Sequence, residues 1–153
     1  QVTMMSLDRR RRPDEPKKIL NLDSWAGYEA PRERMLSRLG GLKNVVVLTG
    51  DEHQNFCGDL VRQDKVVGAE FVATSISSGG DGSDKRSGTD DWLKLNPELK
   101  FANDQRGYVV CEVGREAWQT HFMVVDQVTT PVNSLSKRAT GVVENGVAGI
   151  KMA

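Results

Sequence analysis

The stretch Asn44-Val45-Val46-Val47-Leu48-Thr49-Gly50-Asp51-Glu52-His53 is the longest apolar, β-branched run in the chain, and it ends in a glycine, two carboxylates and an imidazole. A short apolar run bounded by turn signals reads as a fully buried strand. In open α/β sheets, ligands bind beyond the carboxyl ends of such strands. Gly50 would let the backbone turn there without a Cβ clash. Asp51 and His53 would then stand on a short loop held by a rigid element, as a preorganised metal site requires. A carboxylate is a hard oxygen donor, and neutral imidazole suits zinc, iron and similar ions. The plainer reading of strand-Gly-Asp is a turn with an Asx cap. Two ligands do not hold a catalytic ion, which takes about three from the protein. Partners must therefore come from elsewhere.

Upstream, residues 31–39 read as a helix: Pro31 stands at its first position, Met35, Leu36 and Leu39 share a face, and Gly40-Gly41 stop it. Before it, Asn21-Leu22-Asp23-Ser24-Trp25-Ala26-Gly27-Tyr28 is a turn with two large aromatics, of which Trp25 is expected to pack. Residues 1–8 read as a short strand or its end. The run from Arg9 to Lys18 reads as a charged, proline-broken surface loop rather than a phosphate dock.

Downstream, residues 56–61 read as a short helix or irregular segment and residues 66–75 as a strand. The glycine-rich stretch at residues 77–84 lacks a P-loop lysine at the right spacing and the calcium-loop pattern. It reads as a linker in preference to a phosphate or calcium cradle. Thr89 is the expected N-cap of a short helix to Leu95, with Asp90 and Asp91 in its first turn. Residues 109–113 and 118–125 form a hairpin that places His121 on the face of Gln119 and Met123, an exposed or sheet-face histidine rather than a ligand. Residues 134–138 read as an extended tail, followed by a weak pair about the Asn145-Gly146 turn.

Lysine plus arginine equals aspartate plus glutamate at 21 each, so no global field draws the chain to nucleic acid or to an anionic membrane. A hydrophobic share of 38% with 15 glycines fits a loop-rich chain, or part of a larger domain, better than a helical bundle. Cys57 and Cys111 form no motif and read as unpaired thiols. No stretch reaches the ~18 apolar residues of a membrane span. Gln1 opens directly in the apolar segment Val2-Thr3-Met4-Met5, as expected of a terminus made by cutting.

Five motifs in order resemble the alkaline phosphatase D (PhoD-like) phosphatases: residues 23–28 with Arg32 or Arg34, residues 45–53, residues 69–80, Asn103-Asp104-Gln105-Arg106-Gly107-Tyr108, and Trp118 with Ser136-Lys137-Arg138-Ala139. The resemblance implies a mixed α/β fold, the C-terminal half of a four-layer α/β/β/α metallophosphoesterase sandwich. Residues 1–153 would be one part of that catalytic domain, completed by the N-terminal half of the same protein. It implies phosphomonoester and phosphodiester hydrolysis at a calcium- and iron-containing centre in a periplasmic or secreted enzyme. Asp51 and His53 match the family's Gly-Asp-Val-His ligand motif. Arg106 and Tyr108 are candidate contacts on the phosphate side, set against the plainer reading of a salt-bridged arginine and a packed tyrosine. Glu52 stands where valine is usual, and Ala26 where an aspartate is common, so Asp23 or Glu52 would have to substitute for that aspartate. The chain alone is expected to be inactive. The competing readings are a non-catalytic binding or scaffold domain and, more weakly, a nucleic-acid module, whose basic run here lacks interleaved aromatics.

Overall fold

The computed structural model describes residues 1–10, 14–15, 18, 20–131 and 134–153. Part of the charged loop read between Arg9 and Lys18, including Arg11 and Arg12, lies outside the described residues. Among those described, two four-stranded sheets stack face to face, with helices on the outer face of the first. They make three layers, α/β/β, of the four-layer sandwich that the resemblance implies.

The first sheet has the order β1-β3-β2-β4, built from β1 (Val46–Thr49), β2 (Asn55–Arg62), β3 (Lys65–Val72) and β4 (Leu99–Asn103). β1 pairs with β3 in parallel, and β2 lies antiparallel between β3 and β4. The expected strand of the Val-rich run is present, but it is half-open: Leu48 is 50% exposed. The cause is position, since β1 carries one neighbour and no second ladder among the described residues.

β2 replaces the helix or irregular segment expected over residues 56–61. It is one of the two inner strands, and cores on both sides of the sheet cover its faces. Phe56 and Leu60 point into the helix-side core, while Cys57 points to the other sheet. A short apolar run buried on both faces has no period to tell strand from helix. The hairpin β2–β3 turns on Gln63 and Asp64.

α1 (Glu29–Leu39) lays Leu36 and Leu39 on this sheet, and α2 (Thr89–Leu95) adds Trp92 and Leu93. Pro31 occupies the third helical position of α1, not the first. α2 is capped by Gly88 at φ 87°, with Thr89 the first helical residue. Trp25, in the single 3-10 turn Trp25–Gly27, packs on the same core as expected.

Residues 1–8 join that core without forming a strand. Met4 and Met5 each donate their backbone N–H to the Glu70 carboxylate at 2.7 Å, and Thr49 Oγ1 donates to it at 2.7 Å. A side chain thus takes the amides that a neighbouring strand would have taken. Burial pushes the Glu70 carboxyl above the ordinary carboxylate range, against the pull of those hydrogen bonds and of Arg32.

The second sheet runs β5 (Gly107–Val113), β6 (Ala117–Val125), β7 (Leu135–Glu144) and β8 (Lys151–Met152), each antiparallel to the next. The hairpin and the face assigned to His121 are as expected: its Nδ1 lies 2.8 Å from Thr140 Oγ1. The tail expected from residue 134 is instead the first half of β7, whose residues Leu135 to Arg138 are exposed. Pairing with β6 supplies the backbone partners there, so no apolar pattern is needed. Phe122 fills the seam between sheets, its ring centroid 4.9 Å from that of Phe101 and 6.3 Å from that of Phe71.

Candidate active-site cleft

At the carboxyl end of β1 the chain leaves the sheet through residues 50–54. Gly50 is anchored by its N–H donating to Gln1 O at 2.8 Å. The tight backbone falls on its neighbours, since Asp51 sits at φ 71° and His53 at φ 53°. Such left-handed residues cost roughly 1–2 kcal/mol each, though aspartate tolerates the conformation better than most. Both side chains are exposed to a cleft of about 350 Å³, which Asp23, Glu52, Gly79, Arg86 and Arg106 also line.

Glu52, between the two, faces inward and is already engaged. Its Oε1 accepts from Arg9 Nη2 at 2.6 Å, Thr3 Oγ1 at 3.1 Å and Asn21 Nδ2 at 3.4 Å. The carboxylate that departs from the family pattern therefore clamps the N-terminal segment and the turn at Asn21 to the cleft. Asp23 reaches the cleft, whereas Ala26 is buried beneath the turn.

Arg106 forms a wall. It is 1% exposed, and its Nη1 donates to Ser78 O at 2.7 Å and to Ser75 Oγ at 3.3 Å. Its Nη2 donates to both Asp104 O and, at 3.1 Å, Asp104 Oδ1. Its Nε is buried without a partner among the described residues. The guanidinium thus ties residues 75–78 to the turn after β4.

Gly79, at φ 90°, closes over it: a Cβ there would stand 3.0 Å from Arg106 Nη1 and 3.8 Å from His53 Nδ1. Arginine, glycine and histidine are packed edge to edge. Tyr108 is not brought into this group. Strand alternation in β5 turns Val109 into the inter-sheet core and Tyr108 onto the opposite face, where it is 41% exposed.

The glycine-rich loop is tied at several points rather than free as a linker. Asp81 accepts from the N–H of Val128 at 2.6 Å, and from the N–H and Oγ1 of Thr129 at 2.9 and 2.8 Å. Those bonds hold its carboxyl below the ordinary carboxylate range. Asp84 accepts from Arg138, which depresses its pKa too.

Asn55, which the sequence did not single out, pairs near the cleft with Asn103 of the fourth motif. Asn55 Nδ2 donates to Asn103 Oδ1 at 3.1 Å, and Asn55 Oδ1 accepts from Thr74 N–H at 3.2 Å. Asn103 Nδ2 reaches Asp84 O at 3.1 Å. Asn55 opens β2 and carries no local signal beyond that of a turn residue, whereas Asn103 closes β4.

A metal centre can be tested against these residues. The donors are of the right kind, hard carboxylates and an imidazole. Among the described residues, however, no three His, Cys, Asp or Glu side chains gather closely enough to hold an ion.

The PhoD-like phosphatase family model matches residues 1–122, the span that carries every residue of this cleft. The chain belongs to the PhoD-like phosphatases. Alkaline phosphatase D of Bacillus subtilis (strain 168) is 44% identical over 140 residues, which cover 87% of this chain and 24% of that protein. The solved structure of PhoD is 39% identical and superposes with a TM-score of 0.90, over 99% of this chain and 30% of that one. The chain thus spans about a quarter of the length of the PhoD-like relative it matches. Its two sheets and few helices are the C-terminal part of the PhoD fold.

Proposed function

We propose that this chain supplies one wall of the catalytic cleft of a phosphate ester hydrolase, a phosphomonoesterase or phosphodiesterase like alkaline phosphatase D. The observation that carries the reading is the pair Asp51 and His53, both left-handed and both open to a cleft walled by a buried arginine. In a family of phosphatases, that is where a phosphate would react.

Within the complete protein, Asp51 and His53 would be two donors to a metal centre whose remaining ligands lie outside this chain, calcium and iron being the ions that the resemblance implies. Such ions polarise phosphoryl oxygens. The chain's own residues do the positioning. Thr49 and Gly50 fix the start of the 50–54 loop through Glu70 and Gln1. Arg106, bonded to Ser78 O, braces the chain at Gly79 beside His53, with its charge shared with Asp104. The open edge of β1 would pair with the rest of the longer protein, since an unpaired edge is a liability in water. A periplasmic or secreted location follows from the same resemblance.

Asp51→Ala in the complete enzyme tests the reading. Hydrolysis of nitrophenyl phosphate and bis-nitrophenyl phosphate is expected to collapse, and undiminished turnover of both would remove Asp51 from the site. A second measurement uses residues 1–153 alone, which are expected to bind no stoichiometric metal and to turn over neither ester. The absence of three clustered donors among the described residues favours that outcome.

A further inference from the structure

A second cavity, of about 480 Å³, adjoins the candidate cleft, and Gln54 and Arg86 line both. The two differ in charge. The first carries Asp23, Asp51 and Glu52 on its lining, whereas the second is lined by Arg9, Arg10, Arg86 and Trp92 and, among the described residues, by no carboxylate.

Acidic side chains outside that lining pair with these arginines: Glu52 with Arg9 at 2.6 Å, Asp8 with Arg10 at 2.8 Å, and Asp104 with Arg86 at 3.1 Å. Pairing of this kind is what surface arginines commonly do, and alone it would mean only a stabilised loop. Two features go further. A guanidinium has five N–H donors. Arg9 uses Nη2 on Glu52, and Arg86 uses Nη2 on Asp104, so the other donors of both remain open among the described residues. The Arg9 guanidinium also lies 4.8 Å from the Trp92 ring centroid and 5.7 Å from that of Phe56. That stacking fixes its fork, and a fixed fork is the geometry that takes two oxygens of a phosphate at once.

We propose that this second cavity is a subsite for a second phosphate group of the same substrate molecule. The preferred substrate would then be a small compound with two phosphates on one short carbon frame, one held by Arg9 and Arg86 while the other reacts beside Asp51 and His53. This rests on the phosphatase reading and deepens it. Arg86, at 56% side-chain exposure, stands where the cavities meet, within reach of the second phosphate.

The test uses the complete protein and two probes, an alkanediol monophosphate and the bisphosphate of the same alkanediol, compared by kcat/KM. The bisphosphate is expected to exceed the monophosphate by at least about tenfold, the scale of one or two charge-assisted hydrogen bonds. The excess should shrink as sodium chloride rises, because exposed charges are screened. Arg86→Gln and Arg9→Gln should each bring the ratio toward one, with a thermal melt run beside each variant to report folding. Arg86→Lys, which keeps the charge but not the fork, should restore part of the ratio and separate recognition from general destabilisation. A ratio near one in the unaltered protein, or a ratio that neither glutamine variant changes, overturns the subsite while leaving the phosphatase reading intact. Failure to hydrolyse either compound or the nitrophenyl esters overturns the phosphatase reading, and the subsite with it.

Discussion

The two ends of β2 make a pointed contrast. At one end, Gln63 and Asp64 sit at φ 48° and 60°; at the other, Asp51 and His53 sit at φ 71° and 53°. The backbone conformation is the same, but its cause is not. Arg62 pairs directly with Lys65, so Gln63-Asp64 is a two-residue hairpin reversal, and the matching turn type requires positive φ at both central positions. Residues 50–54 reverse nothing of that kind, because β1 and β2 are not neighbours in the sheet. Their left-handed residues instead open onto a cleft, where such conformations commonly serve function rather than folding. A positive φ has meaning only once the local topology has been asked whether it needs one.

The contrast breaks most sharply on Asp51→Gly. Glycine removes the steric cost at φ 71° and also removes the carboxylate. Hydrolysis by the complete protein is expected to fall by about 100-fold or more, on the scale of losing a charge-stabilising group from an active site. The melting temperature should hold or rise. A drop of several degrees would class Asp51 with the hairpin turn, as a structural residue.

Gly82→Ala should come next. A Cβ at φ 73° would stand 1.9 Å from Asp104 O, a backbone atom that cannot swing aside. The expected loss is about 1–3 kcal/mol in denaturant unfolding. Gly80→Ala is the paired control: it meets nothing within 4 Å and bears only the conformational cost. Equal losses at the two positions would mean that the loop is not seated against Arg106 and Asp104 as described.

At the hairpin, replacing Gln63-Asp64 with Asn-Gly should stabilise by about 0.5–1 kcal/mol, because those residues accept left-handed geometry with less strain. Esterase activity should not change. Altered activity would couple the far end of β2 to the cleft.

The smallest effect is one of pH. The Asp81 carboxyl is depressed by the hydrogen bonds from Val128 and Thr129. A group whose folded pKa is lowered contributes stability above its unfolded value and loses that contribution as pH falls through the lowered one. The amide signals of Val128 and Thr129 should therefore shift together in an acid titration, with a midpoint below the ordinary carboxylate range. A midpoint inside that range would untie the loop from residues 128–129.

The residues that were legible in the sequence were those whose chemistry and local pattern agreed. Gly-Asp-x-His after an apolar run located the cleft, and the hairpin β5–β6 followed from simple alternation. β2 was missed because a strand dry on both faces carries no alternation, and Gly58 and Asp59 interrupt its apolar run. The exposed half of β7 was missed for the opposite reason, having no apolar face at all. Glu70 was unreadable: nothing local says that a glutamate inside a strand will hold the amides of Met4 and Met5, 66 and 65 residues away. Arg106 stands out in the sequence only as part of a polar turn, because its bracing of Ser78 O and Asp104 O depends on tertiary placement.

Cys57 stands at the seam between the sheets, fully buried, its Sγ 3.5 Å from Met152 Sδ. Burial raises its thiol pKa, so little of the reactive thiolate forms while the layers stay closed. The molecule thereby carries its own sentinel. An alkylating reagent would modify this sulfur only when the two sheets part, and the rate of that modification would count openings of the sandwich one by one.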